Sequence, residues 1–189
     1  MDTTSTRRLS LVDLRTSWVG VVGFAAIIAA ASQVAIPLPF TPVPFTLQPM
    51  LVVLTGMMLG PVGGVASMML YLAAGAAGLP VFTPIGAPGI ARFLGPTGGY
   101  LIAYPAAAWV AGALALRAKS FNAFWVAALA GTATIYLGGI AQLAILDDSF
   151  GRAIQLGLTP FALFDIAKAF VAALIAQSPA VSLVSRRQR

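Results

Sequence analysis

The sequence contains no cysteine and no histidine. Their absence removes disulfides, thiolate and imidazole metal ligands, and histidine-based acid–base catalysis together, so no metal site is expected. Charge is scarce as well: Asp, Glu, Lys and Arg make up 8% of the 189 residues, against about 25% in an average soluble domain. No Gly-x-x-x-x-Gly-Lys-Ser/Thr phosphate loop occurs, so the chain is not expected to hydrolyse ATP itself. What the sequence has instead is apolar length, with 59% hydrophobic residues. A bilayer core about 30 Å thick needs roughly 20 mostly apolar residues per helical crossing. Backbone groups in lipid must pair internally, and long Ala/Leu/Val/Ile runs without strict alternation favour helices over barrel strands.

Six apolar runs, at 18–36, 47–59, 62–78, 99–116, 121–146 and 160–184, predict an all-α membrane protein with six transmembrane helices. They form one transmembrane domain over 1–189, with a basic segment at 1–17 and a basic tail at 185–189. The first run is long enough to span, so cleavage as a signal peptide is not expected. The second and third runs meet at Gly60-Pro61 and read as a tight helical hairpin. The fifth is longer than a crossing needs and is expected to tilt, to extend beyond the bilayer or to break near Gly138-Gly139.

The net charge of +6 reads as a topology signal rather than a nucleic-acid footprint, because the basic residues sit mainly at the ends of apolar runs. With both termini cytoplasmic, Arg7, Arg8, Arg15, Arg117, Lys119, Arg186, Arg187 and Arg189 lie inside, against Arg92 and Arg152 outside. The outer connections are then 37–46, 79–98 and 147–159. The prolines of PLPFTPVPFTLQP at 37–49 forbid regular helix and predict a stiff extended cap. The Gly/Pro-rich stretch at 83–100 reads as a structured loop over an outward-facing pocket. Asp147 and Asp148 read as solvated loop charges.

The chemistry concentrates in the sixth run. Thr159-Pro160 is a fair helix start, and Asp165 then lies roughly 8 Å along the helix with Lys168 nearly one turn further on the same face. An ionisable residue inside a span costs about 2.5–3.5 kcal/mol on insertion scales and normally faces a bundle interior or an aqueous cavity. Two readings remain open: an i,i+3 pair that neutralises itself, or a donor and acceptor that grip a neutral polar ligand head. Ala169, Ala172, Ala173 and Ala176 continue that face and read as packing positions. In the first run, Ala25, Ala26, Ala29 and Ala30 either pack internally or offer a docking surface to another helix. Gln48 can donate and accept hydrogen bonds. Tyr100, Tyr104 and Trp109 are candidate walls of an apolar pocket, although Trp109 reads equally as an interface anchor. Arg92 either pairs with an anionic ligand group or meets lipid phosphates, with Phe93 beside it.

Taken in order, LPFTPVPFTLQP, GAAGLPVF, GPTGGYLIAYPAAAW and PFALFDIAKAF resemble the BioY family, the biotin-specific substrate-binding subunits (S components) of energy-coupling factor vitamin transporters. The resemblance covers nearly the whole chain. It implies a six-helix S-component fold acting as one substrate-binding domain in the cell inner membrane. Biotin would be held at the extracytoplasmic end, with the loops after the first and third spans closing over it. It implies ligand contacts at Asp165 and Lys168, in a site whose other candidates are Gln48, Arg92, Phe93, Tyr100 and Tyr104. The loop 83–93 departs most from the family's pattern, which leaves the role of Arg92 open. The implied partners are biotin, a transmembrane coupling protein and ABC ATPase subunits, with no cofactor and no nucleic acid. Docking of the coupling protein falls on Ala25, Ala26, Ala29 and Ala30.

Two rivals compete with that expectation. A self-sufficient secondary transporter would use Asp165 as an ion relay, but no inverted repeat is evident and Asp165 is the one acidic residue within a span. A membrane-embedded enzyme needs a nucleophile, base or metal cluster that the residues do not supply.

Overall fold

A computed structural model describes residues 18–178 of the chain. The segment 1–17, the sixth run beyond 178 and the tail 185–189 lie outside the described residues. The order of elements is α1 (Trp18–Ser32), a two-stranded antiparallel hairpin of β1 (Ile36–Leu38) and β2 (Thr41–Phe45), α2 (Gln48–Ala76), a 3₁₀ turn (Gly89–Leu94), α3 (Gly98–Ala115), α4 (Phe121–Leu146), α5 (Phe150–Gly157) and α6 (Ala162–Gln177). The fold is mostly helical, and the proline-rich cap is extended as expected over its first part, as a paired hairpin, whereas Gln48 and Pro49 at its end already open α2, where a proline is tolerated in the first turn.

The helical run α2 is not one rod. Gly60 adopts φ 76° and ψ 176° in its middle, followed by Pro61. A side chain resists positive φ and proline lacks the donor to continue the ladder, so this dipeptide ends one helix and starts another. The direction reverses there. Gln48 and Tyr71 are 23 positions apart, which in a continuous helix is roughly 35 Å at 1.5 Å per residue, yet their side chains are hydrogen-bonded at 2.8 Å. The two arms touch near the turn, where a Cβ built on Gly64 would stand 2.9 Å from Gly56 Cα. The hairpin read from Gly60-Pro61 is present.

α3 packs along both arms of α2 and along α4, while α1 lies at the periphery against α2, fixed there by a hydrogen bond from Ser67 Oγ to Val21 O at 2.9 Å. Small residues set these close distances: Ala107, Ala108 and Ala111 of α3 and Ala169, Ala172 and Ala173 of α6 are all buried, which bears out the packing reading of the α6 face. Small side chains let backbones approach, and dispersion replaces a hydrophobic driving force that lipid cannot provide. Threonine hydroxyls inside helices bond one turn back, as in Thr55 to Leu51 O (2.6 Å) and Thr132 to Ala128 O (2.9 Å), so they present no unpaired hydroxyl to an apolar interior.

Large apolar side chains, among them Val22, Val62, Ile102, Leu137, Leu163 and Leu174, are turned outward, a surface suited to lipid rather than water. Gln48–Ala76, Gly98–Ala115 and Phe121–Leu146 are long and apolar enough to cross a membrane, and α5 with α6, bent by 54°, qualifies as a fourth crossing if taken together. Six runs become three or four by this measure for a physical reason. The α2 run contains two antiparallel arms, and the described parts of α1 and α6 have 15 and 16 residues, short of a full crossing.

Three local expectations are corrected. α4 runs unbroken through Gly138-Gly139; those glycines accommodate Gly99 and the Tyr100 ring, which leave no room for a Cβ. The connection 147–159 is not simply a loop but carries α5, started by Ser149, whose Oγ accepts from Arg152 N. Thr159-Pro160 does not cap α6: Phe161 occupies that position, and the Thr159 hydroxyl bonds Ile154 O at the end of α5 instead.

Candidate ligand-binding site

The end of the bundle that carries the three long connections holds a partly open pocket. Its wall comes from every part of the chain after α1: Val43, Pro44 and Thr46 from the hairpin and its exit, Gln48 from α2, Phe82, Thr83 and Arg92 from the long loop, Thr97, Tyr100, Leu101 and Tyr104 from the start of α3, Thr132, Ile135 and Tyr136 from α4, Gly157 from α5, and Phe161, Asp165 and Lys168 from α6. The lining is apolar with a few convergent polar groups, the usual character of a small-molecule site.

Asp165 sits in the first turn of α6 and is 5% exposed. Lys168 Nζ donates to its Oδ1 at 2.8 Å and Tyr136 donates to its Oδ2 at 2.5 Å. Lys168 Nζ also donates to Thr46 O at 2.7 Å and stands 3.8 Å from the centre of the Phe45 ring. A desolvated ion pair is tolerable when its remaining lone pairs and protons find partners. The ammonium thus joins α6 to the exit of the hairpin, and one of its three hydrogens is left for the cavity.

Arg92 is buried in the 3₁₀ turn. Its Nη1 donates to Thr83 Oγ1 at 3.0 Å and to Ile85 O, and its Nη2 to Thr83 O at 2.7 Å. Desolvation draws the guanidinium below the ordinary arginine value, but it remains a cation in the physiological range. Its Nε has no partner among the described residues. Arg92 therefore folds the loop 83–92 around itself and faces the cavity. With Lys168 and Asp165 it gives the wall two cations against one carboxylate.

Two outer elements are tied down over this space. Tyr100 donates from its hydroxyl to Gly157 O at 2.9 Å, and Thr41 donates to Leu156 O at 2.7 Å, so α5 is held to both α3 and the hairpin. Gln142 of α4 holds the long loop, donating to Phe93 O (2.8 Å) and Gly95 O (2.7 Å). Of the four tyrosines, Tyr71, Tyr100 and Tyr136 are hydrogen-bonded within the protein, whereas Tyr104, a buried residue lining the cavity, makes no side-chain hydrogen bond to the described residues.

Of the residues singled out from sequence, Asp165, Lys168, Gln48, Arg92, Tyr100 and Tyr104 meet around the cavity. Phe93 does not reach it: the ring is edge-on to Phe82 at 5.7 Å and supports that residue from behind. Trp109 is on the outer surface. Within α1, Ala25 is buried and Ala29 half-buried against the core, while Ala26 and Ala30 are exposed. Sequence reasoning missed Tyr136, Thr46, Thr83 and Phe82. A tyrosine in mid-span is the one available signal among these, because a hydroxyl at that depth needs a polar partner.

Comparison with known proteins gives one consistent result. The sequence model of the BioY family matches residues 3–185. The probable biotin transporter BioY of Pyrococcus horikoshii is 40% identical over 156 residues, 82% of this chain and 90% of that protein. The biotin transporter BioY of Thermotoga maritima is 40% identical over 153 residues, 81% and 89% of the two chains. A crystal structure of the S-component for biotin from an ECF-type ABC transporter superposes with a TM-score of 0.77 at 28% identity, covering 90% of each chain.

Proposed function

The chain belongs to the BioY family, and from that premise we propose that it is a biotin-binding membrane subunit of an ATP-driven vitamin uptake transporter, capturing biotin at the extracytoplasmic face. The reading adds what length alone leaves open: six spans with both termini cytoplasmic, in the cell inner membrane. It rests on the eight-to-two distribution of basic residues read from the sequence, the paired arms of α2 and the relatives named above.

The observation that carries the proposal is the polar inventory of the cavity. Biotin has a neutral ureido head with two N–H donors and one carbonyl, an apolar bicycle and a carboxylate tail. Asp165, Gln48 and Tyr104 offer acceptors, and Lys168 offers a donor. Val43, Phe82, Leu101, Ile135 and Phe161 offer apolar wall. The excess positive charge from Arg92 suits a ligand that carries one negative charge. The carboxylate is assigned to Arg92 and the ureido head to the Asp165–Lys168 end.

The subunit requires partners for energy, because it has no phosphate loop. A transmembrane coupling protein and ABC ATPases fill that role, and the exposed Ala26 and Ala30 on peripheral α1 are the docking pair on this reading. The secondary-transporter alternative loses ground to the geometry of Asp165, which already holds an ammonium and a hydroxyl.

Equilibrium binding of radiolabelled biotin to the detergent-purified chain tests the proposal. Tight binding by the wild type, with marked loss in Asp165→Asn and in Lys168→Ala, is the expected result. No binding by the wild type, or normal binding by both variants, would refute it.

A further inference from the structure

Three consecutive carbonyls at the start of the long loop are met by two consecutive side chains at the end of α1. Gln33 Nε2 stands 3.1 Å from Pro80 O and 3.1 Å from Phe82 O. Ser32 Oγ, fully buried, stands 2.6 Å from Val81 O between them, with Ala29 O at 2.7 Å as the other acceptor for its one hydrogen. The surroundings of the Gln33 amide settle its orientation. Its remaining neighbours are Ala29 O at 3.2 Å and Ser32 Oγ at 2.9 Å, so three of the four are carbonyl oxygens. These only accept, so the NH₂ faces them and Oε1 is turned away.

Neither Ser32 nor Gln33 lines the cavity, but Phe82 and Thr83 do. The Phe82 ring has its own seat: a Cβ at Gly75 would stand 2.1 Å from its Cζ, and Tyr71 is edge-on to it at 5.4 Å. Thr83 has no such seat. It accepts from Arg92 at its hydroxyl (3.0 Å) and its carbonyl (2.7 Å), and its backbone continues directly from the Phe82 carbonyl that Gln33 holds. The other end of the loop is anchored separately by Gln142 on α4, at Phe93 O and Gly95 O. Arg92 is therefore fixed at two points. Its backbone adjoins the anchor from α4, while its guanidinium rests on the residue that adjoins the anchor from α1.

We propose that Gln33 is a positioning residue: by holding Phe82 O it fixes Thr83, and so aims the Arg92 guanidinium at the ligand carboxylate. The inference rests on the biotin reading, in which Arg92 meets the carboxylate tail. A guanidinium pairs with a carboxylate through a rigid planar fork, so the pairing is sensitive to a small displacement of the group on which the fork rests. An uncharged tail makes weaker and less directional demands. The apolar wall is spared as well, because the Phe82 ring is held by Gly75 and Tyr71 independently of its backbone. Loss of the Gln33 anchor should thus be felt at the charged end of the ligand and little elsewhere, which makes Gln33 a determinant of specificity for an acid over its neutral analogue.

Gln33→Met keeps the length of the side chain and removes both hydrogens, at an exposed position where substitution costs the fold little. The experiment is calorimetric titration of the full chain with biotin and with its primary amide, on the wild type, Gln33→Met, Arg92→Met and the double variant. Gln33→Met should weaken binding of the acid about fivefold and of the amide less than about twofold. In the Arg92→Met background the same substitution should change acid binding less than about twofold, since residues acting through one contact are not additive. Ser32→Ala, which frees the neighbouring Val81 carbonyl, should show the same selective loss and carries the test should Gln33→Met fail to fold. Equal losses for acid and amide would show a general structural role and overturn the inference, as would no loss for either. A wild type that binds acid and amide alike has no carboxylate contact to position, and overturns this inference alone. A wild type that binds neither overturns the functional reading with it.

Discussion

Tyr136 on α4 donates its hydroxyl to Asp165 Oδ2 on α6 at 2.5 Å, opposite the Lys168 ammonium on Oδ1 at 2.8 Å. The carboxylate is therefore held from two helices rather than one. A charged residue at this depth is stable because its oxygens are matched by donors that do not have to move when a ligand arrives. Removing the phenolic donor should loosen the acid without removing its charge. Hydrogen bonds to charged groups contribute about 1.5–3 kcal/mol, so Tyr136→Phe is expected to weaken biotin binding about tenfold or somewhat more. Titration beside Asp165→Asn checks the order: the loss from Tyr136→Phe should be the smaller of the two.

That relationship also marks the limit of what sequence shows. Asp165 and Lys168 are legible because three positions along a helix place them on one face. Tyr136 is not, because the helix crossing that brings it to Asp165 depends on how α4 and α6 pack. Gly60-Pro61 is legible as a turn, since both residues act on their own backbone. The consequence, that Gln48 meets Tyr71, requires knowing that the two arms have equal reach. Thr159-Pro160 misleads for a related reason: the local capping signal is sound, but α5 ends just before it and takes the Thr159 hydroxyl. Phe93 and Trp109 were candidates by residue type alone, and type does not tell which way a ring points.

Arg92 has two duties that separate experimentally. It closes the loop 83–92 through Thr83 and Ile85, and it adds the uncompensated positive charge to the cavity wall. If that charge meets the ligand carboxylate, the wild type should bind biotin at least about tenfold better than its neutral primary amide, a charge-assisted pair being roughly twice as strong as a neutral one. In Arg92→Met the two ligands should bind alike. A preference for the acid that survives the substitution would assign Arg92 to the loop only.

Gly60 stands at φ 76° and ψ 176°, a region reserved almost entirely for glycine, where a side chain costs roughly 1–3 kcal/mol. Nothing lies within 4 Å of a Cβ built there, so Gly60→Ala strains the backbone without a clash. The expected result is a thermal midpoint in detergent lowered by several degrees, with biotin affinity at low temperature within about twofold of wild type. Gly56→Val is the contrasting case. The Ala108 carbonyl already fills the place of a Cβ at Gly56, so this variant should fail to assemble the hairpin against α3.

Thr41 fastens the β-hairpin to α5 through Leu156 O at 2.7 Å, a bond between two outer elements that lie across the cavity. Thr41→Val keeps the shape and removes the donor, leaving the carbonyl to solvent at modest cost. A fastening over a site acts mainly on escape, since differences in affinity among variants of one site fall largely on the dissociation rate. Stopped-flow or chase measurements should show biotin leaving several-fold faster with an association rate changed less than about twofold. Equal changes in both rates would mean that the hairpin does not cover the bound ligand.

Ala26 and Ala30 present small exposed side chains one turn apart on α1, a helix at the edge of the bundle that packs chiefly against α2. Neither lines the cavity, so bulk added there cannot reach the ligand directly. Where two helices cross closely, a large side chain at the crossing forces the backbones apart and removes the packing that holds them. Ala26→Leu combined with Ala30→Leu should therefore leave biotin binding by the isolated subunit unchanged. The same double variant should reduce ATP-driven biotin uptake by the assembled transporter about tenfold or more. Binding and uptake falling together would place the defect in the fold of α1. Both remaining intact would move the docking surface to another face of the bundle.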